Sequence, residues 1–205
     1  MSPAGLVAEL AGRIADDTGR RWLRVGIDGA PPAGTHQLAD ALVDPLRVLG
    51  RPVYRVSTRD FLRPASVRLE QGRTNPDAFY TDWLDVRGLT REVLAPLGDG
   101  GTGRILPSLW NADTDRATRA EYLTIPPQGV LLLSGSLLLG AGLPLDLVVH
   151  LEMSPAALAR RIGDDDRWTL AAYRRYADEV DPALLADVVV RIDDPRHPAI
   201  VDGAG

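Results

Sequence analysis

The chain has 205 residues, 45% hydrophobic and 25% charged, with a formal net charge of -5. That length suits one sizeable core, and the mild acidity argues against nonspecific nucleic-acid binding, which needs a basic surface. Cysteine is absent, which excludes disulfides, thiolate metal sites and a cysteine nucleophile.

Met1–Gly5 carries no basic segment followed by a long apolar run, so no signal peptide is expected. Leu6, Val7, Leu10 and Ile14 recur at helical spacing and predict an amphipathic helix over 6–18. Trp22–Asp28 reads as a short buried strand, followed by a Gly/Pro turn over Gly29–Gly34. Leu38, Leu42 and Leu46, with Ala41 and Val48, predict the next helix. Val53–Val56 is a second strand. The stretch 59–80 is polar and Arg-rich and reads as a long functional loop. Asp82–Leu94 is expected to be helical, and Pro96–Gly103 is a turn cluster. Val130–Leu133, Asp146–Leu151 and Val188–Ile192 are further strands. Ser154 as N-cap and Pro155 at the first helical position mark another helix start. The longest apolar stretch, Gly129–Leu139, is broken by Ser134, Gly135 and Ser136 and is too short to span a bilayer. The protein is therefore expected to be cytoplasmic, without membrane or nucleic-acid partners.

Strands separated by helical segments predict βαβ units in an α/β fold, with a parallel sheet covered on both faces. With no repeat and no linker, a single domain over 1–205 is expected.

Val25–Asp40 has the layout of a Walker A element. Gly29 and Gly34 hold the two glycine positions of G-x-x-x-x-G-K-[ST]. In such a loop backbone N–H groups wrap phosphate at a helix N-terminus. Its Lys reaches the β/γ-phosphates and its Ser/Thr hydroxyl binds Mg²⁺. Here Thr35 stands at the Lys position and His36 at the Ser/Thr position, while Pro31 and Pro32 carry no N–H. All 23 basic residues are arginine, so no lysine from another loop can substitute. Arg24 and Arg59 are the arginines to consider in its place.

Further stretches carry a resemblance. Phe61-Leu-Arg-Pro64 leads into Val67-Arg68 and Gly72-Arg73. Asn75–Tyr80 followed by Asp82 is similar to an SPEGYY-x-D segment, Pro96–Gly101 to a PLGPGG loop, and Leu131–Leu138 to LLVDGVFL. Tyr176–Pro182, Ala186–Val189 and Asp193–Pro195 match a C-terminal run. From Val25 to Asp194 the chain resembles the uridine kinase-like proteins of actinobacteria, in the nucleoside kinase/phosphoribulokinase group. The resemblance implies a three-layer αβα P-loop NTPase fold.

It also implies catalytic positions, and these are where the chain departs from the pattern. The Asp that would orient the nucleoside hydroxyl is Arg59, with Asp60 adjacent. The acidic residue of the third strand, which would help hold Mg²⁺, is Ser134. The F-D-H-x-x-D segment reads Trp110–Asp115, retaining only Asp115. The Arg-rich lid expected after Met153 is shortened over 160–176, where Asp164, Asp165 and Asp166 add negative charge.

Catalytic candidates are thus Arg59, Asp60 and His36. Candidates for phosphate or nucleotide binding are Gly29, Gly34, Thr35, His36, Arg160, Arg161 and Arg167. Arg63, Arg68, Arg73, Tyr80 and Asp115 are candidates for a substrate pocket, and Trp83 and Trp110 are aromatics able to stack on a base. His150, in an apolar strand, reads as structural and His197 as exposed. With three His and no Cys, no metal site is expected.

Three readings follow. The first is a kinase-like fold that has lost ordinary Mg·ATP phosphotransfer and binds a nucleoside- or phosphate-like small molecule, with no cofactor. The second is an active, atypical nucleoside or small-molecule kinase using ATP and Mg²⁺. The third is a repurposed enzyme whose acid/base group is His36, kept neutral by a helix N-terminus, with Asp28, Asp60 and Asp115 as acid/base groups nearby. Arg-rich and apolar surface leaves a homodimer open.

Overall fold

Continuous apolar runs along the buried strands set the architecture of the computed structural model, which describes residues 1–201. The central strands are β1 (Trp22–Asp28), β2 (Val53–Ser57), β3 (Gly129–Gly135), β4 (Leu147–Glu152), β5 (Val188–Arg191) and β6 (Ala199–Val201). They form one six-stranded sheet in the order β6-β5-β4-β1-β3-β2. All pairings are parallel except β6 with β5. Leu23, Val25 and Ile27 of β1 face one layer, formed by α1 (Pro3–Asp16) and α2 (Thr35–Val48). Trp22, Leu131 and Leu133 face the other, where Phe61, Leu89, Leu94 and Ile105 pack. The predicted parallel sheet covered on both faces is thus present, as crossover connections require.

Several expectations are corrected. The stretch 59–80 is not one loop: it holds a 3₁₀ turn at Thr58–Phe61, a helical turn at Ala65–Arg68 and helix α3 (Pro76–Thr81). Asn75 starts α3 by accepting from the N–H groups of Asp77 and Ala78, an N-cap inside a polar run. The helix expected over 82–94 starts only at Val86, because the Asp85 carboxylate caps the Gly88 N–H. It then widens into a π-helical turn over Thr90–Leu94. Val48, counted as an apolar face position, is 87% exposed at the helix end. After α4 (Pro155–Arg161) and a 3₁₀ run over Asp164–Thr169 comes α5 (Leu170–Val180), whose buried face is built from Ala172, Tyr173 and Tyr176 rather than aliphatic residues.

The register places three polar side chains near the C-terminal ends of adjacent strands. Asp28 lies opposite His150 and Gly135, and Ile27 opposite Ser134. In an open parallel sheet this end, where β1 sits between β3 and β4, is where ligands bind. No helix of the described residues is long and apolar enough to cross a membrane.

Candidate ligand-binding site

The loop after β1 turns through a 3₁₀ segment, Pro31–Ala33, and then Gly34. Gly34 has φ of 85°, a left-handed conformation that suits glycine, and α2 starts directly after it. The loop uses much of its own donor capacity. The N–H groups of Gly29, Ala33 and Gly34 donate to the carbonyls of Gly135, Ala30 and Pro31. Pro31 and Pro32 have no N–H to give. Thr35, at the lysine position, is buried. His36 turns toward β3 instead: its Nδ1 and Ser134 Oγ share a hydrogen bond of 2.7 Å.

Behind the loop the Asp28 carboxylate is fully buried. Its Oδ1 accepts the Leu138 N–H at 3.0 Å, and its Oδ2 accepts from His150 Nδ1 at 2.7 Å and the Tyr176 hydroxyl at 3.0 Å. The Tyr176 oxygen in turn accepts the Leu139 N–H at 2.9 Å. Burial, then the charge of Asp28, pushes the Tyr176 hydroxyl far above the ordinary phenol range. Ser136 Oγ donates to the Gly29 carbonyl at 2.8 Å, and Leu137 between them sits at φ of 60°. The segment 136–140 is thereby pinned to β1 and α5. Close approach makes Gly135 necessary here: a Cβ on it would lie 2.1 Å from Thr58 Oγ1.

These elements enclose a cavity of about 690 Å³, within the usual range for a small-molecule site. Pro31, Pro32 and His36 line one end, with Thr58 and Arg59 beside them. An aromatic wall lines the other, from Phe79, Tyr80, Trp83, Trp168, Tyr173 and Tyr176. Phe79 packs edge-on against Trp83, Trp168 and Tyr173, with centroids 5.1, 5.6 and 5.9 Å away. Such contacts hold the wall rigid.

Of the sequence candidates, His36, Arg59, Tyr80 and Trp83 line the cavity. Arg59 is exposed and ion-paired with Asp113. Asp60 is beside His36 but not in the lining; burial raises its carboxyl pKa, against the pull of a Ser57 hydrogen bond, His36 and Arg59. Burial lowers the His36 pKa, assisted by Arg55 and Arg59 and opposed by Asp60. The direction matches the expectation, but desolvation rather than the helix end is the leading cause.

The other candidates are placed elsewhere. Arg68 is buried: its Nε donates to the Arg63 carbonyl at 2.6 Å and its guanidinium lies 5.2 Å over Trp83. It props the aromatic wall from behind. Arg63 is joined through its backbone to Trp83, and Arg73 is exposed. Asp115 accepts from the Ala65 N–H and Trp110 Nε1, fixing a loop. Arg161 donates to the Ile192 carbonyl and Arg167 to the Ala159 carbonyl, while Arg160 is exposed near Asp193. From this segment Ile162, Asp166 and Trp168 face the cavity instead. Arg24, four residues before Asp28 on β1, is held by Asp146 through bonds of 2.7 and 2.9 Å and is not in the cavity lining. Asp28 is expected from the sequence only as an acid/base neighbour of His36, His150 only as structural, and Tyr176 not as a site residue; here the three meet in one buried hydrogen-bond cluster. The available signal was polar residues near the ends of otherwise apolar strands.

No family model matches the chain, and no curated protein matches it. Solved structures do. A "Possible Uridine Kinase" from Bacillus stearothermophilus superposes with a TM-score of 0.72 at 21% identity, covering 89% of this chain and 96% of that one. A candidate fructose transport system kinase from Silicibacter sp. TM1040 gives 0.66 at 22% identity, covering 88% and 96%. The chain therefore has the αβα P-loop NTPase fold of the uridine kinase-like proteins. At these identities the likeness establishes the fold.

Two outcomes test this geometry. Tyr176→Phe removes one donor to buried Asp28 and the acceptor of Leu139, and is expected to cost about 1–3 kcal/mol in urea unfolding. The second concerns pH. The His36 pKa is lowered from 6.5 on folding, so just below that value the unfolded chain binds more protons than the folded one. Stability then falls as pH drops through this window. Replacing His36 with Asn is expected to flatten that part of the stability–pH curve.

Proposed function

We propose that the cavity binds a small aromatic, nucleoside-like molecule, and that the protein does not perform ordinary Mg·ATP phosphotransfer. The carrying observation is the state of the phosphate loop: buried Thr35, two prolines, three internally engaged N–H groups, and His36 bonded to Ser134. Mg²⁺ demands hard oxygen ligands, commonly one or two carboxylates with substrate phosphates. Positions 36 and 134 present an imidazole and a neutral hydroxyl that satisfy each other. These residues do not fit Mg·ATP. Phosphoryl transfer depends on charge neutralisation at the γ-phosphate, and losing one preorganised partner typically costs about 10²–10³ in rate. Such losses are not additive, yet Thr35, His36, Arg59 and Ser134 all surround one reaction centre.

We read the chain as a single unit in which 160–176 acts as a shortened lid. None of its arginines is in the lining: Arg161 and Arg167 bond to backbone carbonyls and Arg175 stacks over Tyr80, whereas Trp168 lines the cavity, which favours an aromatic ligand over a triphosphate. A second reading, acid/base catalysis by His36, is favoured by one observation. His36 and Asp60 are neighbours shifted toward their neutral forms, a pattern that marks reactive groups.

Incubation with uridine, ATP and Mg²⁺ is expected to yield neither uridine monophosphate nor ADP above the protein-free control. Robust turnover that disappears in Gly34→Val would overturn the proposal.

A further inference from the structure

The polar end of the cavity has an unusual charge inventory. His36 is held near neutrality by burial and by the arginines beside it. Arg59 is already paired with Asp113. Asp166, the acidic side chain of the lining, reaches the cavity from the 3₁₀ run beside Tyr173. A ligand phosphate entering here would find two proline rings, the Ala33 and Gly34 N–H groups already engaged, and only the first-turn N–H groups of α2 to receive it, and burying a dianion without a paired cation is strongly unfavourable. An uncharged ligand meets no such penalty.

The same end offers a recognition atom. With Nδ1 committed to Ser134, Nε2 of His36 has no hydrogen-bond partner among the described residues. Ser134 is buried and fixed in β3, paired with Ile27 and Ser57 on its two sides. It therefore orients the ring as a carboxylate or carbonyl orients a metal-ligating histidine.

Resting on the cavity reading above, we infer that the His36–Ser134 pair is a metal-free specificity device. It presents Nε2 to a hydroxyl or amide of an uncharged aromatic ligand and leaves phosphorylated forms of that ligand unbound. His36 touches the ligand, and Ser134 is a positioning residue acting through it. The position where the fold's kinases would seat a cation thus becomes a neutral hydrogen-bonding contact.

Trp83 and Trp168 line the cavity and supply an intrinsic fluorescence readout. Uridine and uridine 5′-monophosphate are the probes, each titrated into the full chain with Mg²⁺ and again with EDTA. Uridine is expected to bind with the same Kd in both buffers, and the monophosphate to bind more weakly by about tenfold or more. Asn and Gln separate the two ring nitrogens, since an Asn amide mimics Nδ1 and a Gln amide mimics Nε2. His36→Asn is expected to weaken uridine binding about tenfold, and His36→Gln by less. Ser134→Ala is expected to weaken it several-fold and to broaden the His36 ¹⁵N ring signals in NMR, as the ring loses its Nδ1 partner.

Monophosphate binding as tight as uridine, strengthening by Mg²⁺, or unchanged affinity in a folded His36→Asn would each overturn the inference while leaving the cavity reading intact. No fluorescence or thermal-shift response to either probe would overturn both. Circular dichroism of each variant separates loss of binding from loss of fold.

Discussion

The site depends on one buried carboxylate. Asp28 ends the central strand with no exposure to solvent. Its two oxygens take hydrogen bonds from β4, from α5 and from the segment after β3. A buried charge is tolerable only when its lone pairs are satisfied, so these three partners are obligatory to one another. The consequence is geometric. The cavity wall at 136–140 and the helix carrying Tyr173 and Tyr176 are fixed relative to the loop after β1. The aromatic wall, braced from behind by Arg68, then has a rigid frame to stand in.

Against that frame the phosphate end has different chemistry from the one its layout suggests. A strand, a Gly-Pro loop and a helix are all present, and Gly34 has the left-handed turn that starts the helix. Yet the loop bonds to itself, and His36 and Ser134 bond to each other. The backbone shape of an anion cradle is present, while three of its N–H groups and the His36 side chain are engaged within the protein. Shape and chemistry are separable because the shape is held by glycine geometry and sheet register, whereas the chemistry rests on a few side chains.

The sheet was legible in the sequence because strands buried on both faces are continuous apolar runs, as in Val130–Leu133 and Val188–Val190. Thr35 and His36 stand out against the Walker A spacing itself, whereas Arg59 and Ser134 stand out only through the resemblance to the kinase-like proteins. The aromatic wall was only partly so, because Phe79, Trp83, Trp168 and Tyr173 meet through tertiary packing across separate segments. Arg68 shows the opposite failure. An arginine in a polar stretch reads as a ligand group, but stacking on Trp83 and a bond to a backbone carbonyl bury it. The Asp28–Tyr176 contact spans 148 residues of sequence, a separation at which no local pattern carries information.

The central claim is that this fold has kept its ligand cavity while losing the machinery for a magnesium-bound triphosphate. Isothermal titration of the full chain with ATP, in the presence and absence of Mg²⁺, tests it most directly. The account predicts no Mg²⁺-dependent binding heat. Saturable, stoichiometric binding of ATP that requires Mg²⁺ would contradict it.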